Sequence, residues 1–128
     1  MVVWRITGPF CYNILKNKSG QIIYVGEFPT SESGDWSLEV KHFFADDGRL
    51  ISFEKRLAYF NSQCTDRAVI EDLIELYDDQ FNVIKTTKTL VDSNGKVLSE
   101  KDCGNVYDWE FERRPNVTEL SELKKIRI

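Results

Sequence analysis

The chain of 128 residues has few of the residues from which protein metal and redox sites are built. It contains one histidine, His42, and three cysteines, none of which belongs to a C-x-x-C pair. A structural zinc site needs four ligands, commonly in closely spaced pairs, so we expect no metal site and no cofactor. No G-x-G-x-x-G, P-loop or G-x-S-x-G sequence occurs, so the common nucleotide-binding and serine-hydrolase motifs have no candidate.

Three other absences concern partners and location. The chain has 17 Lys and Arg against 21 Asp and Glu, a net charge of −4, so it lacks the basic excess that binds nucleic-acid phosphates. Its apolar runs are too short for a transmembrane helix. The first eight residues have no signal-peptide features. We therefore expect a cytoplasmic protein by default, or alternatively an exported one whose leader has been removed.

What the chain does contain is the composition of a globular protein. Hydrophobic residues make up 41%, aromatic residues 12% and charged residues 30%. That mixture excludes disorder, collagen and coiled coil. The length predicts a single domain over residues 1–128, with a C-terminal helix or tail over 115–128.

A short pattern occurs four times and is typical of tight hairpin turns. Each copy has three mostly polar residues, usually a glycine, a polar residue and two apolar residues. The copies are 17–23, 45–51, 78–84 and 92–98, and the third lacks the glycine. Glycine accepts the positive φ of such turns, and Asp, Asn and Ser bond to their own backbone. Spacings of 28, 33 and 14 residues are too unequal for a stacked repeat.

Between the turns, apolar and polar residues alternate with the period of two of β-strands. Over 36–44 every second residue is apolar or is His42. Over 51–59 the apolar face begins at Ile51 and has Lys55 as its exception. Further strand-like segments are 21–28, 81–91 and 106–111.

Residues 66–77 fit two structures. The helical alternative depends on apolar residues at i, i+3, i+4 and i+7, which are Ile70, Leu73, Ile74 and Tyr77. A strand would place Ile70, Ile74 and Leu76 on one face but would misplace Asp72 on it. The turn over 78–84 would join this segment directly to the next strand, and for that reason we predict a strand.

The C-terminal residues change character. Pro115 ends the preceding strand, and Asn116 followed by Glu119 fits a capping box. Leu120, Leu123 and Ile126 then predict a short helix. The fold class that follows is mainly β: an antiparallel meander of about eight or nine strands that forms a barrel or half-barrel, with the helix at one mouth or over the concave face.

The same meander makes a prediction about the cysteines. Successive connections alternate between the two ends of the sheet. Cys11 and Cys64 border the first and fifth connections, whereas Cys103 lies in the eighth, at the opposite end. Strands of this length separate the ends by roughly 20–30 Å, against a limit of ~7 Å between the Cα atoms of a disulfide. We predict that Cys103 bonds to neither; three unpaired cysteines are expected, with a Cys11–Cys64 bond as the alternative.

The aromatic residues are spread through the strands, where they either line a pocket for an apolar ligand or form a filled core. The first reading gives a non-enzymatic binding domain that holds a small apolar ligand or a partner segment in its concave face. Its candidate ligand-binding residues are Trp36, Leu38, His42, Phe53 and Tyr59. His42 would titrate near neutral pH unless burial or a neighbour shifts its pKa. The alternative is a structural or protein-interaction domain with a filled core and no ligand.

An enzyme that uses His42 with a carboxylate is a more distant alternative. The acidic pairs at 46–47 and 78–79 lie in predicted turns, where turn chemistry explains them. Cys64 could act as a nucleophile only if the fold brought His42 to it. We therefore assign no catalytic residue.

Overall fold

The computed structural model of the protein describes residues 2–7, 10–103, 107 and 111–124, with side chains from Tyr12 onwards. Within these residues the chain forms seven strands followed by two short helices. The strands are β1 (Val2–Thr7), β2 (Phe10–Lys16), β3 (Ile22–Glu27), β4 (Trp36–Phe44), β5 (Leu50–Phe60), β6 (Ala68–Tyr77) and β7 (Val83–Asp92). The helices are α1 (Glu100–Cys103) and α2 (Val117–Lys124).

The strands form one antiparallel sheet in which each pairs with its neighbours in sequence, in the order β1 to β7. The predicted meander is confirmed. The sheet is open, because the pairing of the described strands does not join β7 to β1. Seven strands are found where eight or nine were expected, and most of the strand predicted over 106–111 lies outside the described residues.

All four predicted turns form, and they share one backbone geometry. In the turn at Asn17, the Gly20 N–H donates to the Asn17 carbonyl (3.0 Å) and the Asn17 N–H donates to the Gln21 carbonyl (2.9 Å). The fourth turn residue has a positive φ, which is 84° at Gly20. In the copy without glycine, Phe81 occupies this position with a φ of 65°, a conformation that costs a bulky residue energy.

Three of the hairpins, at one end of the sheet, also carry a β-bulge beside the turn. The register shifts lie between Leu15 and Lys16, between Phe43 and Phe44, and between Leu76 and Tyr77. The unpaired extra residues are Ile23, Ile51 and Ile84. The bulge shifts the phase of β5, so Leu50 is fully buried and Ile51 is 37% exposed. The prediction that Ile51 begins the apolar face was wrong for this reason.

The ambiguous segment forms a strand, as predicted, and β6 pairs with both β5 and β7. Asp72, whose position weakened the strand interpretation, lies opposite Arg56 of β5. The guanidinium of Arg56 donates to both carboxylate oxygens of Asp72, at 2.8 and 3.0 Å. A cross-strand ion pair therefore accounts for the residue that the apolar pattern could not place.

One face of the sheet, here called the inner face, is covered by the described residues 99–103, 107 and 111–124, here called the C-terminal segment. The inner face includes the alternate residues of β4, and from Leu38 to Phe44 these are buried. Leu120 of α2 is fully buried in the same apolar cluster. The buried core is Tyr12, Ile14, Ile22, Val25, Leu38, Val40, Phe44, Leu50, Phe53, Leu57, Tyr59, Val69, Tyr77 and Leu120.

The predicted C-terminal helix is found with Asn116 as its N-cap, and one of the two hydrogen bonds of a capping box forms; Ile126 lies outside the described residues. The Glu119 N–H donates to Asn116 Oδ1 (2.9 Å), and Asn116 Nδ2 donates to the Glu119 carboxylate (2.9 Å). The backbone before the helix is held to the β4–β5 turn: the Leu50 N–H donates to Pro115 and the Val117 N–H to Gly48 (2.9 and 2.8 Å). The cap and these bonds fix where α2 enters the inner face.

The cysteine prediction was wrong, because Cys64 and Cys103 form a disulfide with a Cα–Cα distance of 5.1 Å. The strands nevertheless keep the meander order. After β7 the chain does not run back as a further strand; it makes the turn at 92–95, a single bridge from Val97 to Val91, and then α1. Cys103 therefore stays at the end of the sheet that holds Cys64. The bond also excludes the Cys11–Cys64 alternative.

Candidate functional site

The five residues that were predicted to bind a ligand lie on the inner face of β4 and β5. In the register of these strands Trp36 is opposite Tyr59 and His42 is opposite Phe53. Leu38 lies between them on the same face, as alternation requires. Trp36 is half-buried and the other four are at most 3% exposed. Their binding of a ligand stays a prediction.

Tyr59 is bound to the C-terminal segment. Its hydroxyl lies 2.6 Å from the Cys103 carbonyl and 3.1 Å from Glu71 Oε1. Burial raises the pKa of Tyr59 well above its usual range, and the charge of Glu71 adds to this effect. The hydroxyl is therefore a permanent hydrogen-bond donor that fixes α1 beside the sheet.

Arg113 covers the other end of the candidate site. Its guanidinium lies 4.2 Å from the centroid of the Phe53 ring, a cation–π contact. Arg113 Nε donates to Glu75 Oε1 (2.9 Å), and both side chains are mostly buried. The Tyr77 hydroxyl donates to the same carboxylate (2.8 Å), and burial together with this bond raises the pKa of Tyr77 to about 12. One oxygen of Glu75, Oε1, thus accepts from both Arg113 and Tyr77.

His42 is the least satisfied polar group of the inner face. It is 1% exposed and packs between the rings of Phe44 and Phe53, at centroid distances of 6.3 and 5.1 Å. Neither ring nitrogen completes a hydrogen bond of good geometry in the described part of the chain, although the Glu112 backbone acts on the ring. Burial lowers the pKa of His42 to about 4. The neutral-pH titration that was expected without burial therefore does not occur.

The cations near His42 belong to the C-terminal segment. Lys124 and Arg113 both lower the pKa of His42 by repelling its charged form. Lys124 Nζ is 3.1 Å from Glu27. Burial raises the pKa of Tyr12 to about 12, and Glu27 contributes to the rise. Opposite charges hold the end of α2 to β3 here, while the imidazole beneath remains neutral.

A separate cleft of about 240 Å³ lies on the opposite, outer face of β4, β5 and β6. Its lining residues are Glu39, Lys41, Glu54, Lys55, Arg56, Asp72, Leu73 and Ile74. The Arg56–Asp72 pair and a 3.3 Å contact between Lys41 and Glu39 already pair charges within it. The cleft therefore offers an incoming charged ligand little that is unpaired.

The feature that sequence reasoning missed is the outer edge of β7. Residues 82–89 are all exposed, so the strand is open on both faces. On the side away from β6, the described residues pair with β7 only at its end, where Val91 bridges Val97 and the Leu98 N–H donates to Leu90. We call residues 83–89 the β7 edge. The signal that could have found it is the presence of polar residues on both faces of a β-rich segment.

The described residues hold neither a metal site nor a membrane-spanning helix. No group of three or more His, Cys, Asp and Glu side chains is placed to hold a metal ion there. Neither described helix has the length and hydropathy needed to cross a bilayer. No protein-family model, curated protein or solved structure matches the chain.

Proposed function

We propose that the protein is a non-enzymatic protein-interaction module that binds a partner through the β7 edge. The observation that carries the proposal is the continuous exposure of residues 82–89 on a strand whose other side is paired with β6 from Val83 to Asp92. A strand with one unpaired side can add a strand from another chain, because main-chain hydrogen bonds then continue the sheet.

A small apolar ligand in the concave face of a half-barrel is the function that the sequence favoured, and it has less support. Its candidate residues Trp36, Leu38, His42, Phe53 and Tyr59 belong to or adjoin the core that Leu120 completes. The Cys103 carbonyl and the Arg113 guanidinium lie against two of them. A ligand would have to displace the C-terminal segment, which is tied by a disulfide and by ion pairs.

An enzyme has less support still. A general base must reach its substrate, and His42 is 1% exposed with its pKa lowered to about 4. The nearby carboxylate of Glu75 accepts from Arg113 and Tyr77. His42 is therefore poorly placed to act as a general base, and the Glu75 carboxylate is already used in structural contacts.

The test uses two proline variants, Thr86→Pro and Thr87→Pro. Successive N–H groups of a strand point to opposite sides. One variant therefore removes an outward donor and preserves the pairing with β6, whereas the other breaks that pairing and is recognised by its lower melting temperature. The wild-type protein and the variant with intact pairing are then purified from the natural source and weighed by native mass spectrometry.

We expect the wild-type protein to retain a polypeptide partner that the intact variant loses. A bound small molecule in both proteins would contradict the proposal and would favour the inner face. If neither preparation retained a bound polypeptide or small molecule, that result would also contradict the proposal. A partner that both proteins retain would place the interaction away from the β7 edge.

A further inference from the structure

We infer that the β7 edge accepts an extended acidic segment of a partner protein, with two carboxylates three residues apart placed opposite Lys85 and Lys88. The inference rests on the proposed function and adds the chemistry of the partner to it. Residues 83–89 read V-I-K-T-T-K-T. The edge thus combines β-branched residues, which suit a strand, with two cations and no anion.

Among the residues that the structure describes, the two lysines have no partner of opposite charge. Lys85 lies opposite Leu76 of β6, and Lys88 lies opposite Leu73. Both lysines are exposed, and neither makes an ion pair within the described part of the chain. They are therefore open to a negative charge brought by a new strand.

The carboxylates of β6 nearest the edge are already engaged. Asp72 binds Arg56 and Glu75 binds Arg113, and Glu71 accepts from the Tyr59 hydroxyl. Asp72 and Glu75 are thus each paired with an arginine, and none of the three carboxylates forms an ion pair with Lys85 or Lys88. The net charge of −4 acts over longer distances, where physiological salt screens it beyond ~8 Å. A carboxylate in contact with the lysines is therefore attracted by them more strongly than it is repelled by the net charge of the chain.

The spacing of the lysines fixes the pattern of the partner. Directly opposite residues of an antiparallel pair share a face, and successive residues alternate between faces. Lys85 and Lys88 are three positions apart, so one projects from each face. A matching strand carries one carboxylate on each face, also three positions apart, followed by apolar residues near Val83 and Ile84, which are 48% and 65% exposed.

A second copy of this chain is a poorer occupant. Two β7 edges side by side would bring four lysines together with no acid between them, and lysine on an edge strand is a common device against such pairing. The same residues that oppose self-association favour an acidic strand, since opposite charges across strands are stabilising and like charges are not.

The experiment uses two synthetic peptides and two double variants. One peptide contains Glu-Thr-Val-Glu-Val-Val, and the control peptide replaces both Glu with Lys. Lys85→Glu/Lys88→Glu reverses the charge of the edge. Lys18→Glu/Lys101→Glu makes the same change of net charge at exposed positions elsewhere. Binding is followed by amide chemical-shift changes in NMR titrations of the full chain, after melting temperatures confirm that each variant is folded.

We expect the acidic peptide to bind the wild-type protein and the Lys18/Lys101 variant with shifts concentrated at residues 83–89. The Lys85/Lys88 variant should bind it about tenfold more weakly and should prefer the lysine peptide. Equal binding of both peptides would overturn the charge inference, as would shifts elsewhere, self-association through β7, or no binding at millimolar concentration. None of these results decides the proposed function, because the native mass spectrometry of the proline variants tests that separately.

Discussion

Strands β4 and β7 are similar in length and belong to the same antiparallel sheet, but they differ in what covers them. Every second residue of β4 from Leu38 to Phe44 is buried, whereas β7 is exposed from Val83 to Thr89 on both faces. The C-terminal segment crosses the inner face as far as Glu75 of β6, which it reaches through Arg113. The position of that segment, more than the strands themselves, divides the molecule into a core and an edge.

The largest expected effect comes from releasing the C-terminal segment with Cys64→Ala/Cys103→Ala. The bond joins residues separated by 39 positions, and the chain-entropy argument assigns such a cross-link about 4 kcal/mol. We expect the free energy of unfolding, measured in urea, to fall by roughly 2–4 kcal/mol. Amides of residues 111–124 should exchange faster, while those of the β7 edge should not change.

The control for the disulfide is a reductant. It should reproduce the loss of stability in the wild-type protein and leave the double variant unchanged. If the C-terminal amides remained equally protected in the double variant, the disulfide would not be what holds the segment, and the division between core and edge would depend on the remaining contacts alone.

The next effect tests the packing of α2. Leu120 is fully buried, whereas Leu123 of the same helix is 37% exposed. We expect Leu120→Ala to reduce the free energy of unfolding by about 3 kcal/mol, because it removes buried methyl groups and leaves a cavity. Leu123→Ala should cost less than about 1 kcal/mol. Similar losses for the two variants in chemical denaturation would mean that α2 is not seated in the core through Leu120.

A third effect depends on pH and separates the covered face from the edge. The folded-state pKa of His42 is about 4, below the unfolded value of ~6.5. As pH falls, the His42 imidazole is therefore protonated at a higher pH in the unfolded chain than in the folded one. The free energy of unfolding decreases as pH falls from about 6.5 towards 4. The shift corresponds to roughly 3 kcal/mol at the acidic limit.

The variant His42→Leu removes this titrating group and nearly preserves its volume. We expect the melting temperature of the wild-type protein to fall more steeply between pH 6.5 and pH 4 than that of the variant. Glu27 and Glu75, which face the same region through Lys124 and Arg113, are unchanged in both proteins. Parallel pH profiles would show that the buried imidazole is not responsible.

The comparison also explains what the sequence could predict. Turn chemistry and alternation are local, so the meander, the strand nature of β6 and the N-cap at Asn116 followed from short stretches of sequence. The inner-face position of Trp36, Leu38, His42, Phe53 and Tyr59 likewise followed from alternation within two strands.

The wrong predictions all involve residues whose environment is decided elsewhere in the chain. Ile51 lies off the apolar face because of a β-bulge, and alternation of apolar and polar residues does not reveal a bulge. The pairing of Cys64 with Cys103 depended on residues 96–103 forming a single bridge at Val97 and then α1 in place of a strand. The exposure of β7, which was not predicted, depends on how far the C-terminal segment reaches; within β7 its sign is the presence of polar residues on both faces.

The smallest effect concerns the turn that leads into the β7 edge. Phe81 has a φ of 65°, whereas the equivalent residue of the β2–β3 turn is Gly20 with a φ of 84°. The left-handed conformation costs a residue with a side chain roughly 1–2 kcal/mol. Phe81 offsets this cost by stacking on Tyr77, with ring centroids 5.3 Å apart, a contact worth about 0.5–1.5 kcal/mol.

We therefore expect Phe81→Gly to change the free energy of unfolding by less than about 1 kcal/mol, because the relief of backbone strain and the loss of stacking nearly cancel. The matched control is Gly20→Ala. A Cβ at Gly20 meets no atom within 4 Å, so this substitution measures the backbone cost alone, about 1 kcal/mol. A loss of more than about 2 kcal/mol for Phe81→Gly would mean that the contact of Phe81 with the core outweighs the strain. The start of β7 would then be held as firmly as the covered strands, and the contrast between core and edge would begin only at Ile84.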